Sequence, residues 1–345
     1  MGAGTAQRGA CLLISGKVRK NMEFVVFAGV LLLLFIFMIV QELIQTKNQE
    51  KLFKKYLREN YGKEPPKEYS LERFARLGSY LERHKEEKQL DDITWNDLGM
   101  DEVFRRIDRT YSAAGEEYLY YTLRNISCGR EALEHLEEVV NWLQEQENIK
   151  VRIQLLMKRL GHLGKYSLYD YLDNLDYLGE RSNRKIVLGN LLYLPFLLLL
   201  FVQPAMGTIG IVLCMLWHIM TYFREKKVIE PYIISFAYVL RLIDVCEELE
   251  KQKIPVYRRE LDELREVLKS LRELRRGAYW VMAGNQGKIG GNPLDILADY
   301  LRMILHLDIF QFNRMLEKLR KKTGQVETML AITGYLDMAI SVGGF

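Results

Sequence analysis

The chain has 345 residues, 49% of them hydrophobic and 27% charged, and its 49 Lys and Arg stand against 45 Asp and Glu for a formal net charge of +4. That length allows one or two domains plus membrane segments, and the near balance of charge excludes a strongly polycationic nucleic-acid binder, leaving any basic surface to local clustering. The four cysteines, Cys11, Cys128, Cys214 and Cys246, show neither CxxC nor CxxH spacing, which argues for reduced structural thiols and against a disulfide framework or a zinc site.

The first element is the uncharged run Phe24 to Val40, FVVFAGVLLLLFIFMIV. As a helix it spans roughly 26 Å, enough to cross the hydrocarbon of a bilayer. A cleaved signal peptide is the competing reading, but the preceding segment is too long for an ordinary leader and QELIQTKNQ offers no small-x-small cleavage site. The run is therefore expected to be an uncleaved anchor, with a tail and anchor over 1–43 and a charged amphipathic linker over 44–90.

From Met100, the apolar residues Met100, Val103, Phe104 and Ile107 follow helical spacing, and Asp101 is placed to cap that helix. A turn is expected around Tyr111 to Gly115, followed by a helix with Glu116 and Glu117 in its first turn and Tyr118, Leu119, Tyr121 and Leu123 on its buried side. The tyrosines suit a base-stacking platform, but aromatic residues at helical spacing more often form a core. Helices continue over Glu131 to Glu147 and Ile149 to Leu160.

Two further apolar blocks, Ile186 to Val202 and Ala205 to Phe223, are joined only by Gln203 and Pro204 and read as a transmembrane hairpin. Pro195 would kink the first leg, and Trp217, His218 and Tyr222 fall where amphipathic rings suit the interface. Arg181, Arg184 and Lys185 precede the hairpin, and Arg224, Lys226 and Lys227 follow it. By the positive-inside rule both flanks face the cytoplasm, which puts the N-terminus outside and makes this a multi-pass plasma-membrane protein.

Beyond the hairpin, helices are expected over Val228 to Glu250, Val256 to Arg276, Leu294 to Lys322 with a break near Leu307, and Gln325 to Val342. Leu261, Leu264, Leu268 and Leu271 form a short seam suited to a neighbouring helix. No segment alternates as a strand. The expectation is an all-α, membrane-anchored chain with helical regions over 91–185 and 224–345 on either side of the hairpin, 186–223.

The search for chemistry finds little. Gly284 to Gly291, GNQGKIGG, resembles a phosphate loop but puts Met282 at the first glycine and Ile289 where a metal-binding hydroxyl must stand. His84, His135, His162, His218 and His306 form no metal-binding pair, and SVGGF at the end is not a nucleophile elbow. Lys318, Arg320, Lys321 and Lys322 are the candidate phosphate contacts, against the alternative of a solvated helix face. No autonomous enzyme and no cofactor is expected.

The stretch Asp91 to Arg124, DDITWNDLGMDEVFRRIDRTYSAAGEEYLYYTLR, resembles the start of the core domain of the MutS family of DNA mismatch repair ATPases. The family's polar turn, D-x-T-x-[ST]-x-x-G, is matched by Asp108, Thr110, Ser112 and Gly115. Ala132 to Gly161 resembles the following helical pair, and Met329 to Phe345 the helix before the ATPase domain. The resemblance implies a structural joint at the turn and a helical lever or scaffold acting on DNA, non-specifically, or on a partner ATPase domain. It also implies self-association as a homodimer, and ATP only through such a separate domain. The family's mismatch-reading domain and nucleotide motifs have no counterpart in these 345 residues. The alternative reading is a helical membrane scaffold or sensor that binds protein partners without DNA.

Overall fold

The computed structural model describes residues 36–63, 69, 71–85, 88–126, 129–164, 167–271 and 293–345. Most of the apolar run at 24–40, the glycine-rich segment at 284–291, Cys11 and Cys128 lie outside them. The described residues are all-α, without a strand; the sole ladder contact among them is an isolated antiparallel bridge between Gln89 and Asn125.

The chain divides into two units at 59/60. The described part of the first is a single helix, α1, over 36–59, whose residues 36–50 are all exposed. Its polar end carries the i, i+4 ion pairs Lys54–Glu50 and Lys55–Glu59 at 2.6 and 3.7 Å.

The second unit opens with α2 (Leu71–Arg83), α3 (Asp92–Asp97), α4 (Met100–Ile107) and α5 (Ala113–Arg124). Asp91 caps α3 by accepting from the Thr94 N–H at 2.8 Å. The expected cap of α4 is corrected: Gly99, at φ 63°, stands at the N-cap, a conformation that suits glycine, and Asp101 accepts instead from Trp95 Nε1 at 2.7 Å. Leu77, Leu81, Trp95, Phe104, Leu119 and Tyr120 bury together as a small core, with Arg124 stacked over Trp95 at 4.4 Å.

Then come α6 (Arg130–Glu145), α7 (Glu147–Leu160) and α8 (Leu168–Asp173), the last closed by a capping box between Ser167 and Asp170. Next are α9 (Arg184–Leu191) and α10 (Tyr193–Val202). Their break at Leu192 follows from Pro195, which has no N–H to offer the carbonyl four residues back. A single helix of 47 residues, α11 (Pro204–Glu250), comes after a one-residue turn, with Pro204 at its first position, where the missing N–H costs nothing.

The sequence reading had a membrane leg ending at Phe223 and a new helix starting at Val228; both belong to α11. Arg184–Val202 and Pro204–Glu250 are long and apolar enough to cross a membrane. Only 6% of the most apolar window of the first is buried, against 28% for the second. The two legs pack through small residues. A methyl on Gly207 would lie 2.6 Å from the Leu200 nitrogen, and one on Gly210 would collide with the Phe196 ring.

From Ile229 onward α11 becomes the central core helix. Ile229, Phe236, Leu242, Val245, Cys246 and Leu249 are fully buried, and each large apolar side chain so placed contributes about 1.5–3 kcal/mol. Packed around it are α7, α12 (Arg258–Leu271), α13 (Pro293–Leu305), α14 (Leu307–Arg320) and α15 (Thr323–Gly343). Leu261, Leu264 and Leu271 of the short seam are buried in this same core.

Candidate functional site

The expected signature turn lies where α4 gives way to α5, directly against α15. Asp108, Thr110 and Ser112 are fully buried, which their polarity permits only because every group finds a partner. Asp108 Oδ1 accepts from the Thr110 N–H at 2.9 Å and its hydroxyl at 2.5 Å, closing an Asx turn, and Asp108 Oδ2 accepts from the Tyr69 hydroxyl. Burial and the neighbouring Asp108 carboxylate hold the Tyr69 phenol far above its ordinary range. Ser112 is the N-cap of α5, its Oγ accepting from the Gly115 N–H at 3.1 Å.

The residue that organises the turn is Asp337 of α15, buried and 225 positions away in sequence from Ser112. One of its oxygens accepts from the Ser112 N–H at 2.8 Å, the Ser112 hydroxyl at 2.6 Å and the Tyr111 N–H at 3.1 Å. One turn on, Ser341 Oγ accepts from the Arg109 N–H and donates to the Ile107 carbonyl, both at 2.7 Å. Gly115 is accordingly not a turn residue, as the sequence reading had it, but the third position of α5. A methyl there would stand 2.6 Å from Asp337 Cβ, so the glycine is what lets α15 approach. Gly334 does the same from the other side, where a methyl would meet the Ala114 carbonyl oxygen at 2.6 Å.

A second layer of charge backs the joint. Glu116, fully buried, is held by Arg73 and by Arg76, whose guanidinium is 2.5 Å from Oε2 and also donates to the Gly164 carbonyl at 2.7 Å. Glu117 accepts from Ser167 Oγ at 2.8 Å. Burial pushes its carboxyl up to about 8, against the opposing pull of Ser167 and Arg76. Tyr80 packs ring to ring with Tyr118, Tyr121 and Tyr169, edge-on to Tyr121 at 5.1 Å.

The arrangement is structural: carboxylates turned onto backbone N–H groups, hydroxyls and arginines hold the turn, α5 and α15 together. The sequence reading missed Asp337, although a signal was present. It is the sole charged residue after Glu327, in a helix otherwise fit for a core.

The four basic candidates do not share one task. Arg320 donates to the Leu175 and Gly179 carbonyls at 2.6 and 3.0 Å, Lys322 donates to the Ser270 carbonyl, Lys321 lies 3.9 Å from Glu317, and Lys318 is half-buried. His218, expected at the interface, is instead 1% exposed, its Nδ1 2.9 Å from the Cys214 carbonyl and its ring against His306. Gly189 explains the burial: it offers no side chain where His218 Nε2 would stand 3.1 Å from a methyl. Cys214 and Cys246 are buried free thiols, and among the described residues no group of His, Cys, Asp and Glu is placed to hold a metal. Compared with family models, curated proteins and solved structures, the chain matches none.

Proposed function

We propose that this chain is a membrane-anchored helical lever, a MutS-like core that couples the bilayer to DNA or to a partner ATPase domain, with both helical regions on the cytoplasmic side of the plasma membrane. The observation that carries the reading is α11. One helix, continuous through Pro231, has an exposed apolar N-terminal half, suited to lipid, and a C-terminal half at the centre of the core, so a displacement of either end is felt at the other. The joint at Asp337 supports it, because it ties the turn that resembles the family's signature to the helix that resembles the one before the ATPase domain.

A second reading, a membrane scaffold that binds protein partners without DNA, is favoured by one observation. Arg320 and Lys322 direct their charges at internal carbonyls rather than outward. Fluorescence anisotropy separates the two, with the full chain in nanodiscs titrated against a labelled duplex at several salt concentrations. The lever on DNA is expected to bind weakly, with a dissociation constant on the order of micromolar or above and a steep loss with salt. No binding at low salt supports the scaffold. Release of the chain from membranes by alkaline carbonate sinks both readings.

A further inference from the structure

At the foot of the hairpin, where α9 and α11 enter the helical core, lies a cavity of about 840 Å³. That volume falls within the roughly 300–1,000 Å³ usual for small-molecule sites. Its wall changes character along both legs in the same sense. On α9, Lys185 comes first, and Leu188 and Leu192 follow toward the hairpin tip, about 10 Å further at the helical rise. On the antiparallel α11, Arg224 is at the core end and Trp217 two turns nearer the tip. Along the two legs Lys185 and Arg224 therefore stand at one depth and Leu188, Leu192 and Trp217 at another, the order of a lipid's headgroup and first methylenes.

The charges do not cancel within the wall. Arg181 is paired with Glu225 at 2.5 Å and bound to Asn313 Oδ1 at 3.1 Å. Among the described residues Lys185 and Arg224 form no ion pair, while Glu180 is the one carboxylate of the wall in the same position. Two cations against one carboxylate leave a single positive charge, matched by one phosphodiester.

His306 is an independent sign that the cavity is built for an occupant. It forms part of the wall, is 6% exposed, and its Nδ1 has no hydrogen-bond partner among the described residues. It also holds φ at 54°, the sole non-glycine residue described with a left-handed backbone. An orphaned buried nitrogen and a strained backbone at one residue persist where the surroundings require them, and such residues gather at ligand sites.

We propose that this cavity binds one anionic phospholipid, its phosphate held between Lys185 and Arg224 and an acyl chain laid along Leu188, Leu192 and Trp217. The inference rests on the membrane reading above; basic pockets between spans on the cytoplasmic side suit such headgroups.

The test uses the full chain. Carbonate extraction of the expressing membranes comes first, because it reads membrane residence without depending on Lys185 or Arg224. Native mass spectrometry then counts lipid retained from micelles doped with phosphatidylglycerol or phosphatidylcholine, with inorganic phosphate as competitor. One phosphatidylglycerol retained at about tenfold preference is expected, weakened about thirtyfold in K185Q/R224Q and kept in K185R/R224K. Equal retention of the two lipids, unchanged retention in K185Q/R224Q, or displacement by millimolar inorganic phosphate overturns the proposal. A chain that carbonate releases overturns the membrane reading beneath it.

Discussion

Asp337 accepts from three donors through one oxygen, so its removal is costlier than the loss of one contact. Asp337→Ala removes the acceptor of the buried Ser112 N–H and hydroxyl, at about 1–3 kcal/mol each, and of the half-buried Tyr111 N–H. A loss of about 3 kcal/mol or more is expected in urea unfolding of the detergent-solubilised chain, and Asp337→Asn, which keeps an acceptor oxygen, falls between. Gly115→Ala reverses an ordinary preference. Alanine normally stabilises a helix interior by up to about 1 kcal/mol over glycine, but here its methyl must share space with Asp337, and a lower melting temperature is expected. Glu117 sets a pH dependence. Its folded carboxyl titrates at about 8 against an ordinary 4.5, so between those values the folded state keeps a proton that the unfolded chain has lost. Its contribution therefore falls as pH rises from about 4.5 to about 8 and is constant above, a change of several kcal/mol at most. Glu117→Gln keeps the Ser167 bond and cannot ionise. It should melt like the parent at pH 5 and higher than the parent at pH 8, and parallel melting at both would refute the assignment.

At the scale of the element, α11 carries its own weak point. Pro231, exposed and inside the helix, deprives the Lys227 carbonyl of its partner just where the apolar outer half meets the core half. Pro231→Ala restores that bond, and amide exchange over 228–235 is expected to slow by roughly tenfold in hydrogen–deuterium exchange. Unchanged exchange would mean that the surrounding core, not the proline, governs opening there. The same stretch shows why the sequence reading broke α11 in two. Arg224, Lys226 and Lys227 look like the flank of a span, yet they are compatible with one helix that runs through them. By contrast the break between α13 and α14 was legible near Leu307. Local chemistry also misled at α4, where a glycine in the left-handed region took the cap position expected of Asp101. Gly115 was recognised but misread, because what it accommodates is a side chain 222 positions away, which no local pattern encodes.

For the whole molecule, the consequence of this architecture is directional. The hairpin presents Phe201, at 90% exposure, and Val202 at its tip, while Tyr177, at 86%, is exposed just before its basic foot. Arg181, Arg184 and Lys185 on one side and Arg224, Lys226 and Lys227 on the other place six cations at the same end of the hairpin. Insertion that keeps them in the cytoplasm carries the turn at Gln203 across the bilayer and leaves the core, including the joint at Asp337, inside. In a background with all four native cysteines replaced by alanine, Gln203→Cys is therefore expected to react with a membrane-impermeant maleimide added to intact cells. Tyr177→Cys should react only after the membrane is opened. Protection of both positions would mean a hairpin that enters one leaflet without crossing, and reaction of Tyr177→Cys alone would invert the proposed orientation. Moving the cations tests the cause: replacing Arg224, Lys226 and Lys227 by glutamine should weaken the labelling asymmetry, because the remaining basic flank alone then opposes translocation.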